Sequence, residues 1–187
     1  MRNALFAAGI FAWLGMPGRV EGREASPKEV FRMGIGAGLG SQIQLFDSGL
    51  NSALLSGPTL YLPMHLWDRI KIEPDLAYTE HSGSTSWSVP DFRDIRLGLG
   101  LFYLLGEDPV RYYIGLRSGL VASWFQDTER ETLLAWFAGF AGGGEYFFNP
   151  RFSLGIELLL LYIDPDNSHA RGYSISTLSQ LMARFYF

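Results

Sequence analysis

Alternation with period two constrains this chain more than any other feature. From residue 31 onward, apolar side chains fall on every second position in eight separate stretches, the spacing of a β-strand with one apolar face. In the first, Phe31, Met33, Ile35, Ala37 and Leu39 share one face, and Arg32, Gly34, Gly36, Gly38, Gly40, Gln42 and Gln44 share the other. The second sets Leu60, Leu62, Met64 and Leu66 against Thr59, Tyr61 and His65. The third sets Ile70, Ile72, Leu76 and Tyr78 against Lys71, Glu73, Asp75 and Thr79. The fourth to seventh repeat the pattern around residues 94–103, 111–124, 134–146 and 152–162. The eighth places Leu181, Ala183, Phe185 and Phe187 opposite Gln180, Met182, Arg184 and Tyr186.

The connections alternate too. Residues 67–69, 106–109 and 149–151 are short turns. Residues 46–53, 80–91 and 164–174 are longer and polar, with 126–131 of middling length. Short turns at one end and longer loops at the other predict an all-β, eight-stranded antiparallel up-and-down barrel across the outer membrane of a bacterium. Closing such a sheet pairs every backbone N–H and C=O, which lipid requires. An even strand number predicts both mature termini on the periplasmic side and the long loops outside.

A soluble barrel would alternate as well, so composition has to separate the two. Charged residues reach 18%, against 48% hydrophobic and 15% aromatic. A water-facing surface is dense in Lys, Glu, Ser and Thr, whereas the polar face here is mostly Gly with scattered Arg, Glu and Tyr. That suits a narrow, side-chain-filled interior. Tyr78, Tyr103, Tyr112, Trp124, Trp136, Tyr146 and Tyr162 lie near strand ends on the apolar face. This is the position of an aromatic girdle in the headgroup zone.

The first residues read as a cleavable export signal. Arg2 supplies a positive charge, and residues 4–16 form an apolar run of 13 residues ended by Pro17 and Gly18. A membrane helix needs about 20. Cleavage is placed after Gly22. The domain reading is therefore a signal peptide over 1–22, a short lead over 23–29 and a barrel over 30–187. No periplasmic domain is expected after the last strand.

The segment YYIGLRSGL, residues 112–120, resembles the fifth strand of small outer-membrane barrel domains. GGGEYFFNPRFSLGIELLLLY, residues 142–162, resembles two of their strands joined by a tight Asn-Pro turn. The terminal LMARFYF resembles the signal that barrels offer to their assembly machinery, carried here by Leu181, Ala183, Phe185 and Phe187. Over residues 30–187 the pattern is similar to the broad OmpA/OmpX-like group of porin-like outer-membrane barrels. The resemblance speaks for architecture and weakly for activity, because fold does not give function.

Some barrels of this size are lipid A deacylases or acyltransferases. A hydrolase needs a nucleophile, a base and an orienting acid in reach. The three histidines are His65, His81 and His169, and none sits in the His-x-Ser-Asn run associated with the deacylases. No enzymatic activity is expected, nor any metal site or cofactor. Without cysteine the chain has no disulfide and no thiolate ligand. A net charge of −4 argues against a nucleic-acid partner.

The inward charges are the better lead. Arg32, Lys71, Arg96, Arg111, Arg117 and Arg184 stand against Glu73, Asp75, Asp94, Glu145 and Glu157. Near balance implies pairing, because unpaired buried charge is costly. If strands pair in order, Glu145 is expected to meet Arg111 and Arg117, and Glu157 to meet Arg184. The expected role is a structural or surface-interaction barrel. A narrow pore gated by these pairs is one alternative, and a lipid A-modifying enzyme is another. Expected partners are outer-membrane lipid and lipopolysaccharide, the barrel-assembly machinery, and host or extracellular molecules at the loops. The protein is expected to be a monomer.

Overall fold

The computed structural model describes residues 31–46, 57–66, 69–81, 92–125, 132–165 and 173–187. The signal peptide and lead, Trp67 and Asp68 of the first short turn, and most of each longer connection lie outside the described residues. The strands are β1 (Phe31–Phe46), β2 (Thr59–Tyr61), β3 (Met64–Leu66), β4 (Ile70–His81), β5 (Phe92–Glu107), β6 (Val110–Phe125), β7 (Thr132–Asn149), β8 (Phe152–Pro165) and β9 (Ser174–Tyr186). All neighbours are antiparallel, and β1 pairs with β9, so the sheet closes on itself.

Nine strands make eight staves. β2 and β3 both lie between β1 and β4, as one stave interrupted at Leu62 and Pro63. Pro63 has no N–H to give to a ladder. The interruption stays paired through carbonyls: Gly34 N–H donates to Pro63 C=O at 2.9 Å, and Leu62 N–H donates to Pro74 C=O at 3.0 Å. Side-chain parity survives the break, with Tyr61, Pro63 and His65 inward and Leu62 outward.

The register sets the stagger of the barrel. Direct Cα partners run from Phe31 through Leu66, Ile70, Tyr103, Ile114, Gly142, Leu158 and Ser179, and return to β1 at Ser41. One circuit therefore climbs from residue 31 to residue 41, ten residues over eight staves. With strands about 4.8 Å apart and tilted about 40°, the wall has a radius of roughly 8 Å. That leaves room for side chains alone.

The outer wall is predominantly apolar, interrupted by the outward hydroxyls of Ser41, Ser118 and Ser179. Phe140 is 71% exposed and Leu39 68%, among more than twenty large apolar side chains turned outward. A belt of this kind in water would drive association; in hydrocarbon it is the solvated state. Aromatic side chains bound the belt at both edges. Trp136 and Tyr146 stand ten residues apart on β7. At about 3.3 Å per residue and a tilt of about 40° they are separated by roughly 25 Å along the axis.

Candidate functional site

The pleat turns alternate side chains into the lumen, and glycines make room for the large ones. A Cβ on Gly98 would lie within 3 Å of the Asp75 carboxylate. A Cβ on Gly143 would meet the Tyr113 ring and hydroxyl at 2.6 Å. Each glycine thus makes room for the large side chain of its direct partner on the adjacent stave, Asp75 on β4 and Tyr113 on β6, to lean over it into the lumen.

There they form one network. Glu73 on β4 receives three cations: Arg117 Nη2 at 2.8 Å, Arg184 Nη2 at 2.8 Å and Lys71 Nζ at 3.6 Å. Arg117 on β6 also contacts Glu157 on β8 at 3.1 Å and pairs with Asp75. Arg184 on β9 reaches Glu145 on β7 at 3.6 Å. Arg96 contacts Asp75 at 3.3 Å and donates to the Thr59 hydroxyl at 2.9 Å. Four cations and four carboxylates thus share the middle of the lumen, and all eight are buried. Charge-assisted contacts of this kind are the strong ones, and each group has an opposite charge in reach.

Aromatic and hydroxyl groups complete the layer. Lys71 Nζ lies 3.7 Å from the Tyr113 ring centroid and 4.7 Å from that of Phe102. Tyr186 donates to Glu145 at 2.6 Å, and the Ser153 hydroxyl donates to the same carboxylate. The Tyr61 hydroxyl donates to Gln180. Sequence reasoning did not select Tyr61, Tyr113, Ser153 or Gln180 as partners. Their inward parity was the available signal.

Three of the sequence-selected lumen residues lie elsewhere. Arg111 is half-buried and pairs with Asp108 of its own turn at 2.8 Å. Arg32 stacks over the Tyr186 ring at 4.4 Å near the short-turn end. Asp94 is buried toward the loop end, beyond the network. The neighbour-strand pairing expected for the acids is also corrected. Glu145 meets Arg184 rather than Arg111 or Arg117, and Glu157 meets Arg117 rather than Arg184. In each case the long side chain passes over the adjacent stave to a partner two staves away, because in a narrow tube inward side chains converge toward the axis. His65 packs edge-on against Tyr186 at 5.1 Å, and its Nε2 makes no hydrogen bond.

The lumen is also less uniformly polar than its glycines suggest. Val121, Phe137, Leu161, Ile163 and Leu178 are buried on the inward face above the network. In β8 the run of leucines hides the alternation, because both faces are apolar there.

The seven aromatics expected to form a girdle all project outward and are partly exposed. Tyr78 donates to Glu80 at 3.0 Å, and Tyr103 accepts from Arg69 at 2.9 Å, so each turns its hydroxyl to a polar edge. On β9, Leu181 and Phe185 face outward beside Ala183. The Phe187 N–H closes the seam on Met33 C=O at 2.9 Å.

No protein-family model matches the sequence, and no curated protein does. Solved structures match over nearly the whole barrel. Neisserial surface protein A superposes with a TM-score of 0.57 at 15% identity, over 86% of this chain and 98% of that one. The chain has the fold of the small OmpA/OmpX-like outer-membrane β-barrels. Ail, the attachment invasion locus protein of Yersinia pestis, gives 0.53 at 16% identity, over 84% of this chain and 97% of that one. The N-terminal β-barrel domain of Pseudomonas aeruginosa OprF gives 0.50 at 14%, over 86% of this chain and 100% of that one. This outer-membrane barrel shares with them the closed antiparallel wall; at such identities the likeness is one of fold.

Proposed function

We propose that this outer-membrane barrel is a sealed, non-catalytic membrane element whose loop end serves as a contact surface. The observation that carries the reading is Glu73, which draws Arg117, Arg184 and Lys71 from three other positions on the wall to one point on the axis. A balanced network at the centre of an eight-stranded lumen favours a plug that fixes register over a water file. The partners in this reading are membrane lipid and lipopolysaccharide around the belt, and extracellular molecules at the loops. Ail has been solved with the heparin analogue sucrose octasulfate. For the present barrel a polyanionic sugar is a reasonable first probe of loop binding.

Planar-bilayer recording tests the plug. Purified barrel is expected to hold the membrane at baseline, and sustained ohmic current from the unmodified protein would overturn the sealed reading. Lipid A from cells with and without the barrel is expected to have the same mass spectrum; a shifted acyl pattern would overturn the non-catalytic part. Cells whose residues 80–91 and 164–174 are replaced by Gly/Ser linkers are expected to lose binding to sulfated-glycan surfaces. Equal binding would remove that partner class.

One observation favours a second reading, a gated pore. Glu73 is shared by three cations, so a shift of Arg184 toward Glu145 alone would redistribute the contacts without stranding a charge. Brief current steps that appear in a Glu73→Gln variant and not in the parent would support it.

A further inference from the structure

Two prolines stand on adjacent staves inside the wall. The registers Tyr61↔Asp75 and Met64↔Ile72 set Leu62 opposite Pro74 and Pro63 opposite Glu73. In an antiparallel ladder a hydrogen-bonded pair exchanges two N–H···O=C bonds. Gly34 and Pro63 make only one, from Gly34 N–H to Pro63 C=O at 2.9 Å, because Pro63 has no N–H to return. Leu62 and Pro74 make only one for the same reason, from Leu62 N–H to Pro74 C=O at 3.0 Å. The carbonyls of Gly34 and Leu62 therefore face proline nitrogens. The β2–β3 stave lacks one ladder bond to β1 and one to β4, at consecutive residues. Among the described residues the other prolines, Pro58, Pro109, Pro150 and Pro165, lie at strand ends or in turns. A carbonyl without a donor inside a membrane wall is costly, so the wall is weakened here on both sides of one stave.

The inside of the same sector is bare. β1 turns Gly34, Gly36, Gly38 and Gly40 to the lumen and has no inward side chain of its own along that stretch. Side chains from other staves cross over it instead. Arg184 of β9 lies over Gly36, where an added Cβ would meet its Cγ at 2.8 Å, and it reaches Glu73 on β4 at 2.8 Å. The Tyr61 ring lies over Gly38, and its hydroxyl donates to Gln180 on β9. The Arg184–Glu73 contact thus runs from β9 to β4 across both weakened seams, and it ends on the residue directly opposite Pro63.

We propose that β1 and the β2–β3 stave form a yielding panel in the barrel wall, and that the Arg184–Glu73 ion pair is the strap that holds it shut. Opening parts the seams at Leu62 and Pro63, while the ladders between β5 and β9, whose spans have no interior proline, stay closed. The strap acts by fixing the separation of β9 and β4, the strands that flank the panel. This role is distinct from sealing the lumen: the panel yields sideways whether or not the lumen conducts.

Residue-resolved amide hydrogen exchange of the refolded barrel in detergent micelles tests the panel. The amides of Gly34 and Leu62 are expected to exchange about tenfold faster than hydrogen-bonded amides at similar depth in β6 and β7. Equal rates overturn the proposal. Two changes close the panel by different routes. Pro63→Ala returns a donor to the Gly34 carbonyl. Ile35→Cys with Leu62→Cys sets a disulfide on an outward, non-hydrogen-bonded pair across the β1 seam, where Cα atoms stand about 4.5 Å apart. The chain has no other cysteine. Each change is expected to slow Gly34 exchange to the β6–β7 rate, and an unchanged rate in both overturns the panel. Glu73→Gln tests the strap. Exchange is expected to quicken in the panel and stay as it was in β6 and β7; equal acceleration of both sectors, or none in the panel, overturns the strap. If that variant does not refold alone, it is made on the oxidised disulfide variant and the bond is then reduced in the folded barrel. Panel exchange that fails to rise on reduction overturns the strap as well.

Discussion

Arg184 on β9 and Glu73 on β4 stand three staves apart around the wall and meet across the lumen at 2.8 Å. Both are buried. The contact ties the closing strand to the opposite side of the barrel and makes Glu73 the acid on which the network depends. Replacing Glu73 by Leu removes the ion pair of Lys71 and one of the shared pairs of Arg117 and Arg184, which keep Asp75 and Glu157, and Glu145, respectively. The expected loss is about 3–5 kcal/mol, measured by urea unfolding in detergent micelles. A loss below about 1 kcal/mol would mean that the cations find other partners.

Glu157 gives a graded comparison. Its ion pair is with Arg117, which keeps Glu73 and Asp75 when Glu157 is removed. Glu157→Leu is expected to cost less than Glu73→Leu. In double-mutant cycles Glu157 is expected to couple more strongly to Arg117 than to Arg184, by about 0.5 kcal/mol or more. Equal coupling to the two arginines would contradict the observed pairing.

Gly142 and Gly143 are neighbours on β7 with opposite outlooks. A Cβ on Gly142 meets nothing closer than 3.8 Å, whereas one on Gly143 would lie 2.4 Å from the Ile156 carbonyl and 2.6 Å from the Tyr113 ring. Gly143→Ala is expected to destabilise the barrel by about 1–3 kcal/mol or more through overpacking. Gly142→Ala is expected to fold like the parent. The same unfolding assay checks both, and a reversed order would show that the β7 face assignment is wrong.

Trp124 and Trp136 are both outward, near the loop end of the apolar belt. In variants retaining one of them as sole tryptophan, lipids brominated near the headgroup are expected to quench fluorescence more than lipids brominated at the chain ends. Stronger quenching from the chain ends would place the belt at a different height.

Phe187 hydrogen-bonds through its N–H to Met33 at the β1–β9 seam and is 78% exposed on the outer face. Deleting it removes a seam contact and an outward aromatic at the end that resembles the assembly signal. The deletion is expected to lower the outer-membrane fraction of the protein and raise its degraded periplasmic pool, read by fractionation and immunoblotting. Unchanged insertion would refute a role for this terminus in assembly.

The amino-acid order by itself determined which face each residue joins, because the pleat turns successive side chains to opposite sides whatever the neighbouring strand does. Lys71, Glu73, Arg117 and Arg184 were legible as inward, Tyr78 and Trp136 as outward, and the apolar belt followed from their spacing. Two local features blurred that reading. Pro63 divides one stave into β2 and β3, and the leucines of β8 are apolar on both faces. What only the tertiary structure decided was which inward residues meet. That depends on closure and on the ten-residue stagger, which carry Glu157 to Arg117 and Arg184 to Glu73 and leave Asp94 above the network. Strand-order reasoning assigned those acids to adjacent staves. In a tube of roughly 8 Å radius, inward side chains converge toward the axis, so their partners are set by the geometry of closure and not by proximity along the chain.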